Sequence, residues 1–170
     1  CLVGSEMCIR DRFYRDNNIA KTVCIKFNSF DSDIIENTYF SIKEDVEPYV
    51  SGEFYKRELP CVMELIEQID LKDVECIVVD GYVNHNEKEV LGAKLYHALD
   101  NKIPIIGVAK NKFIGENQSI EVYRGESKKP LYVTSIGISN IDAANQIKNM
   151  YGEYRLPYIC LLYTSDAADD

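Results

Sequence analysis

The chain has 170 residues, with 28 acidic against 19 basic side chains, a formal charge of −9 and 46% hydrophobic residues. That composition is too apolar for a disordered chain and suits one globular domain. Its longest apolar stretch, Ile103 to Ala109, is interrupted by Pro104 and Gly107 and is far too short to cross a bilayer. The acid excess argues against sequence-independent coating of nucleic acid, which depends on surplus lysine and arginine, but it leaves room for a local basic groove.

Both ends read as foreign. Glu6-Met7-Cys8-Ile9-Arg10-Asp11 can be encoded by GAGATGTGTATAAGAGACAG. The reverse complement of the shared core, CTGTCTCTTATACACATCT, reads from its second base as the residues found at Cys160 to Ser165. One DNA element in opposite orientations thus accounts for both flanks, and it resembles the transposon end used in sequencing-library preparation. Residues 1–12 and 160–170 are therefore expected to be non-native, and the native domain to span residues 13–159, truncated at both ends. Setting the flanks aside removes Glu6, Asp11, Asp166, Asp169, Asp170, Arg10 and Arg12 from the charge count and leaves the chain acidic. Cys24, Cys61 and Cys76 remain, too widely spaced for a disulfide framework or a zinc site. Buried cysteines in a reducing cytoplasm are expected.

Thr22 to Phe27 alternates apolar and polar residues and predicts a strand, with a weaker one over Ile34 to Ile42. With a first strand at or before Phe13-Tyr14, these form an antiparallel meander. A loop over Glu44 to Glu58 follows, and Pro60 suits the first turn of a helix carrying Leu59, Val62, Met63, Ile66 and Ile69 on one face. Cys76 to Val79 is a continuous apolar run, as in a buried parallel strand, and ends at Asp80-Gly81. Leu91, Leu95 and Leu99 mark a second helix; Ile103 to Val108 is a second buried strand ending near Lys110. Strands over Ile120 to Tyr123 and Leu131 to Ile136 flank a basic loop, Lys128-Lys129-Pro130. A last helix runs from Asn140 to Tyr151, with Ser139 and Asp142 as a capping pair and Gly152 just past its end. A meander followed by alternating helix and strand predicts an α/β fold: one mixed sheet with helices on both faces.

Ligand sites in such sheets lie at the carboxyl ends of the strands. Asp80 occupies such a place, although Asp-Gly also suits an ordinary turn. Lys110 ends the neighbouring strand in the same way, or is simply a solvated lysine. Glu58, just ahead of a helix, either serves chemistry or favours the helix start through the dipole. Tyr49, Phe54 and Tyr55 stand among Lys56 and Arg57, a mixture that can stack bases and hold phosphates or merely pack a loop. His97 reads as structural, and His85 as a supporting or solvated group; two isolated histidines make no metal motif. Asp80, Glu58 and Lys110 together suit a hard, oxygen-ligated cation and metal-assisted phosphodiester hydrolysis.

Five ordered blocks carry a resemblance to the endonuclease V family: Tyr49 to Glu58, Val78 to Gly81, Ile105 to Lys110, Lys129 to Ser135, and Gly152 to Pro157. The resemblance, to its short bacterial branch, implies a ribonuclease H-like fold. It also implies cleavage of DNA or RNA just beyond deaminated bases such as inosine, with Mg²⁺ or Mn²⁺. Asp80 and Glu58 would be metal and catalytic carboxylates, with Asp11, in the pattern Asp-x-x-Tyr, as a third ligand. Lys110 would steady the reacting phosphate. Tyr49 would be the wedge at the lesion, while Gly52 and Gly81 would admit the nucleic-acid backbone beside Lys56, Arg57 and Lys129. The chain departs from the family pattern in three places. Asp11 falls in the flank, Gly137 stands where a late histidine is expected, and Ser51 replaces a proline. A monomeric endonuclease acting on nucleic acid, with no membrane partner, is the expectation; the alternative is a ribonuclease H-like domain that binds nucleic acid without cutting it.

Overall fold

The computed structural model describes residues 5–14, 19–46, 48, 50, 53 and 55–162, with the backbone alone for residues 11–14. Nine strands and four helices follow one another among these residues. The first part is β1 (Ser5–Tyr14), β2 (Ile19–Phe27), β3 (Ile35–Lys43) and α1 (Tyr55–Ile66). Then come β4 (Val74–Asp80), the short pair β5 (Asn84–His85) and β6 (Lys88–Glu89), α2 (Leu91–Ala98) and β7 (Ile105–Ala109). The last part is β8 (Ile120–Val122), β9 (Leu131–Ile136), α3 (Asn140–Lys148) and α4 (Tyr158–Leu161).

Seven strands form one mixed sheet in the order β3-β2-β1-β4-β7-β9-β8. The meander is present: β2 runs antiparallel to both β1 and β3. β1, β4 and β7 run parallel to one another, as the apolar runs at Cys76–Val79 and Ile103–Val108 predict, although β7 itself begins at Ile105. β9 turns back antiparallel to β7, so its end at Ile136 lies opposite Ile105, at the start of β7.

The side-chain alternation of the central strands divides the core in two. Met7, Ile9, Ile77 and Val79 face α1 and α2 through Val62, Leu65 and Leu95. Cys8, Cys76, Val78 and Ile106 face α3 and α4 through Ala143, Ile147 and Ile159. Helices thus cover both faces. Cys8 and Cys160, from the two stretches that read as foreign, meet in this second core with their Sγ atoms 3.4 Å apart.

Three local expectations need correction. α1 begins at Tyr55, inside the predicted loop, and Pro60 lies within the helix, not in its first turn. Pro60 is on the exposed side, where water can serve the Lys56 carbonyl that the missing proline N–H leaves. α1 also closes earlier than Ile69, through tight turns from Gln68 to Leu65 and from Ile69 to Ile66. α3 ends at Lys148, and Gly152 lies beyond its cap with a left-handed φ of +124°. Gly152 instead lets the chain fold back so that the Tyr158 N–H donates to the Tyr151 carbonyl at 2.8 Å. The predicted start of α3 holds: the Ser139 hydroxyl accepts from the Asp142 N–H. The β5–β6 hairpin, turned by Asn86 at φ +55°, is too short and polar for periodicity to reveal.

Candidate active site

The parallel strands bring their carboxyl ends to one edge of the sheet. Asp80 is the last residue of β4 and pairs in register with Val108 of β7. Gly81 follows at φ +125°, a conformation L side chains rarely adopt, and its N–H donates to the Val108 carbonyl at 2.9 Å. This turn lies across β7 at Gly107. A Cβ there would stand 2.6 Å from the Gly81 carbonyl oxygen and 2.9 Å from the Val83 nitrogen. The Val83 N–H is held by the buried Thr134 hydroxyl at 2.9 Å. The backbone just past Asp80 is therefore seated on a strand with no side chain in its way.

Beyond the end of β7 opens a cleft of about 410 Å³, lined by Lys110, Lys112, Lys128, Lys129, Tyr132 and Arg155 among others. Of these cations only Arg155 is buried, at 4% exposure, and it is the organiser. Its guanidinium donates to the carbonyls of Lys110 and Pro130, tying the end of β7 to the loop before β9. A second buried arginine, Arg124, grips the carbonyls of Met150 at 2.5 Å and Tyr154 at 2.7 Å and so holds the segment that carries Arg155. Burial lowers the Arg124 pKa from its ordinary value. Sequence reasoning gives neither arginine a role. A buried arginine bonded to main-chain carbonyls leaves no periodic signal; for Arg155 the trace is its place in the block Gly152 to Pro157, beside Leu156-Pro157.

Glu58 lies in the first turn of α1 and is buried. α1 covers the face lined by Ile77 and Val79, whereas strand alternation puts Asp80 on the side of Val78 and Cys8. Tyr55, at the start of α1, packs near Tyr82 and Ala109, so Glu58 and Asp80 reach the same end of the sheet from opposite faces. Lys56 is exposed and paired with Glu53 at 2.9 Å; that hydrogen bond and charge raise its pKa. Arg57 is half-buried, and its carbonyl accepts from Cys61 Sγ. Tyr49 and Gly52 lie outside the described residues. For Asp11, in β1, the backbone alone is described, paired with Thr22 of β2.

His85 stacks on Phe113 with ring centroids 3.9 Å apart, and burial, then the nearby Lys88 charge, lowers its pKa. Phe113 and Asn111 are anchored by the Tyr82 hydroxyl, which donates to the Asn111 carbonyl and accepts from the Phe113 N–H. Gly137, where a late histidine is expected, has Pro104 within 3.0 Å of its would-be Cβ. It stands at the opposite end of β7 from Asp80, so a histidine at that position would not face the carboxylate edge.

The cation beside Asp80 is an arginine. Arg10 Nη2 donates to Asp80 Oδ2 at 3.0 Å, and its Nη1 donates to the Cys160 carbonyl at 2.9 Å. Among the described residues, no group of three or more His, Cys, Asp or Glu is gathered that could hold a metal ion. The described donor set therefore does not fit a divalent cation in this arrangement, since the exposed carboxylate is already engaged by a guanidinium.

Comparison with known proteins agrees with this architecture. A family model described as Endonuclease V matches residues 2–151. The endonuclease V of Trichormus variabilis is 28% identical over 166 residues, 85% of this chain and 73% of that protein. That of Alkalilimnicola ehrlichii is 29% identical over 133 residues, 66% of this chain and 57% of that protein. Among solved structures, Bacillus subtilis endonuclease V superposes with a TM-score of 0.72 at 19% identity, covering 92% of this chain and 76% of that one. Ciona intestinalis endonuclease V, in complex with a 24mer DNA containing an inosine followed by a ribo-adenosine, gives 0.74 at 14% identity, covering 92% and 81%. The fold is thus the α/β, ribonuclease H-like one. Among the described residues no helix is long and apolar enough to cross a membrane.

Proposed function

The chain belongs to the endonuclease V family and is thereby an endonuclease; from that premise we propose that it hydrolyses phosphodiester bonds near deaminated bases, notably inosine, in DNA or RNA. The observation that carries the reading is the juxtaposition of the Asp80-Gly81 turn with the lysine-lined cleft at one sheet edge. A nucleic-acid backbone needs both a place where bare main chain allows close approach and cations to offset its charge. Gly81 offers the first; Lys110, Lys128 and Lys129 offer the second, despite the acidic balance of the whole chain.

In this reading Asp80, Glu58 and Asp11 are the carboxylates on which a metal ion depends, and Lys110 steadies the reacting phosphate. Tyr49 is the wedge at the lesion, while Gly52, Lys56 and Arg57 receive the strand. Mg²⁺ or Mn²⁺ is the proposed ion, and it requires the carboxylate that Arg10 now holds. A deaminated, weakly paired base costs less to extrude, which supplies selectivity for a repair enzyme. A monomer in the cytoplasm is the proposed setting; the buried free thiols of Cys24, Cys61 and Cys76 accord with it. We further propose that residues 1–12 and 160–170 derive from the inserted element and that residues 13–159 form the native domain. The uninterrupted genomic reading frame tests this: different codons at those ends support it, and the same codons overturn it.

The functional test uses DNA and RNA oligonucleotides with a single inosine, with Mg²⁺ or Mn²⁺, against the parent chain and Asp80→Asn. Nicking beside inosine, absent from unmodified strands and lost in Asp80→Asn with binding retained, is the expected result. Binding without nicking under either ion would overturn catalysis and leave a ribonuclease H-like binding domain. No binding at all would overturn the whole reading.

A further inference from the structure

We propose that the described side chains around Asp80 do not fit a divalent cation as they stand, because Arg10, a tethered guanidinium, occupies the cation position there and competes with the ion. The proposal rests on the metal-dependent reading above. It starts from geometry. β1 and β4 run parallel with Ile9 opposite Val79, so the next residues along the two strands, Arg10 and Asp80, emerge side by side. The side chains meet at 3.0 Å, with Arg10 17% and Asp80 42% exposed.

The guanidinium is fixed at two points. One terminal nitrogen is held by the Cys160 carbonyl and the other by the Asp80 carboxylate. A planar fork with both ends engaged loses little further freedom when it pairs, which makes it a stronger competitor than a flexible lysine. A divalent ion approaching Asp80 must therefore break a charge-assisted bond. It must also accept a positive charge a few ångströms away that cannot swing clear without releasing the Cys160 carbonyl.

Arg10 and the Cys160 carbonyl that holds it both lie in the stretches that read as one DNA element in two orientations. Cys8 and Cys160 pack against each other, Arg10 bonds Cys160, and Arg10 reaches Asp80. The competing cation thus comes with residues 5–10, and the partner that orients it comes with α4.

The test measures Mn²⁺ affinity by titration calorimetry for the parent chain, Arg10→Gln, Arg10→Lys, and Arg10→Gln combined with Asp80→Asn. Circular dichroism verifies the fold of each. Arg10→Gln should bind Mn²⁺ about tenfold or more tightly than the parent, because one full positive charge next to the carboxylate is gone. Arg10→Lys keeps the charge and should stay close to the parent. The gain should vanish when Asp80→Asn is added. Should Arg10→Gln fail to fold, Arg10→Met fills similar space without charge and takes its place. Equal affinity for parent and neutral variant overturns the proposal, as does a gain that survives Asp80→Asn. A Mn²⁺ site that opens in Arg10→Gln without cleavage of inosine oligonucleotides keeps this inference and defeats the nuclease reading. Inosine cleavage by the parent, with affinity unmoved in Arg10→Gln, does the reverse.

Discussion

The buried guanidinium of Arg155 donates to the main-chain carbonyl of Lys110, across 45 residues of sequence. The same nitrogen reaches the Pro130 carbonyl at 2.8 Å. One side chain therefore sets the spacing between the end of β7 and the Lys128-Lys129 loop, and with it the width of the basic cleft. Arg155 is a positioning residue: it shapes the place where phosphates would sit.

Replacing it tests that role. Arg155→Met leaves two carbonyls without their donor and should destabilise the fold by about 2–4 kcal/mol, read from the midpoint of urea unfolding. Affinity for an inosine oligonucleotide should fall as well, because the two lysine-bearing segments drift apart. Unchanged stability with unchanged affinity would show that the clasp is dispensable.

Lys128 and Lys129 are exposed, and among the described residues neither forms an ion pair across the fold. Lys128→Ala with Lys129→Ala should leave the melting temperature within a degree or two. Nucleic-acid binding should weaken, and the slope of log affinity against log salt should shrink by about 0.7–0.9 for each phosphate no longer neutralised. A salt slope identical to the parent's would place the backbone elsewhere.

Gly107→Ala asks whether the turn past Asp80 needs a bare strand beneath it. The new methyl would press on the Gly81 carbonyl and the Val83 nitrogen, both main chain, at 2.6 and 2.9 Å. Neither can rotate away, so a stability loss of about 1–3 kcal/mol is expected. The Asp80-Gly81 turn should move with it, reducing cleavage more than a stability loss alone accounts for. Full activity at full stability would mean that the turn is soft.

Glu6 is buried in β1, and its Oε2 has no hydrogen-bond partner among the described residues. Burial, then the charges of Glu75, Glu36 and Asp31, push its pKa from an ordinary value of 4.5 to about 7. The folded chain holds this proton more tightly than the unfolded chain does. Its stabilising effect is complete below pH 4.5 and is lost as the pH rises through 7. Glu6→Gln, which keeps a neutral side chain at every pH, should therefore melt higher than the parent at about pH 8 and equally at about pH 4. Parallel melting curves across that range would remove Glu6 from the pH response.

The parts of the fold that can be read from residues alone are those written in short-range patterns. The alternation at Thr22–Phe27 and the apolar runs at Cys76–Val79 and Ile103–Val108 emerge as β2, β4 and β7. Ser139 caps α3 because its hydroxyl needs only the Asp142 N–H three residues on. Such features depend on neighbours within a turn or a strand. The start of α1 at Tyr55 is not legible, because Pro60 marks a helix start by local preference, while the packing of Tyr55 near Tyr82 and Ala109 belongs to the assembled sheet.

The candidate site divides in the same way. The amino-acid order by itself determined that a carboxylate and a glycine would leave the sheet at Asp80-Gly81 and a lysine at Lys110, because a buried strand must end where polar residues begin. Only the tertiary structure decided what stands next to them: Arg155 fastening the lysine cleft, and Arg10 resting on Asp80. Those neighbours come from the far ends of the chain. Their meeting is set by strand register and helix packing, long-range constraints that no spacing within a single segment encodes.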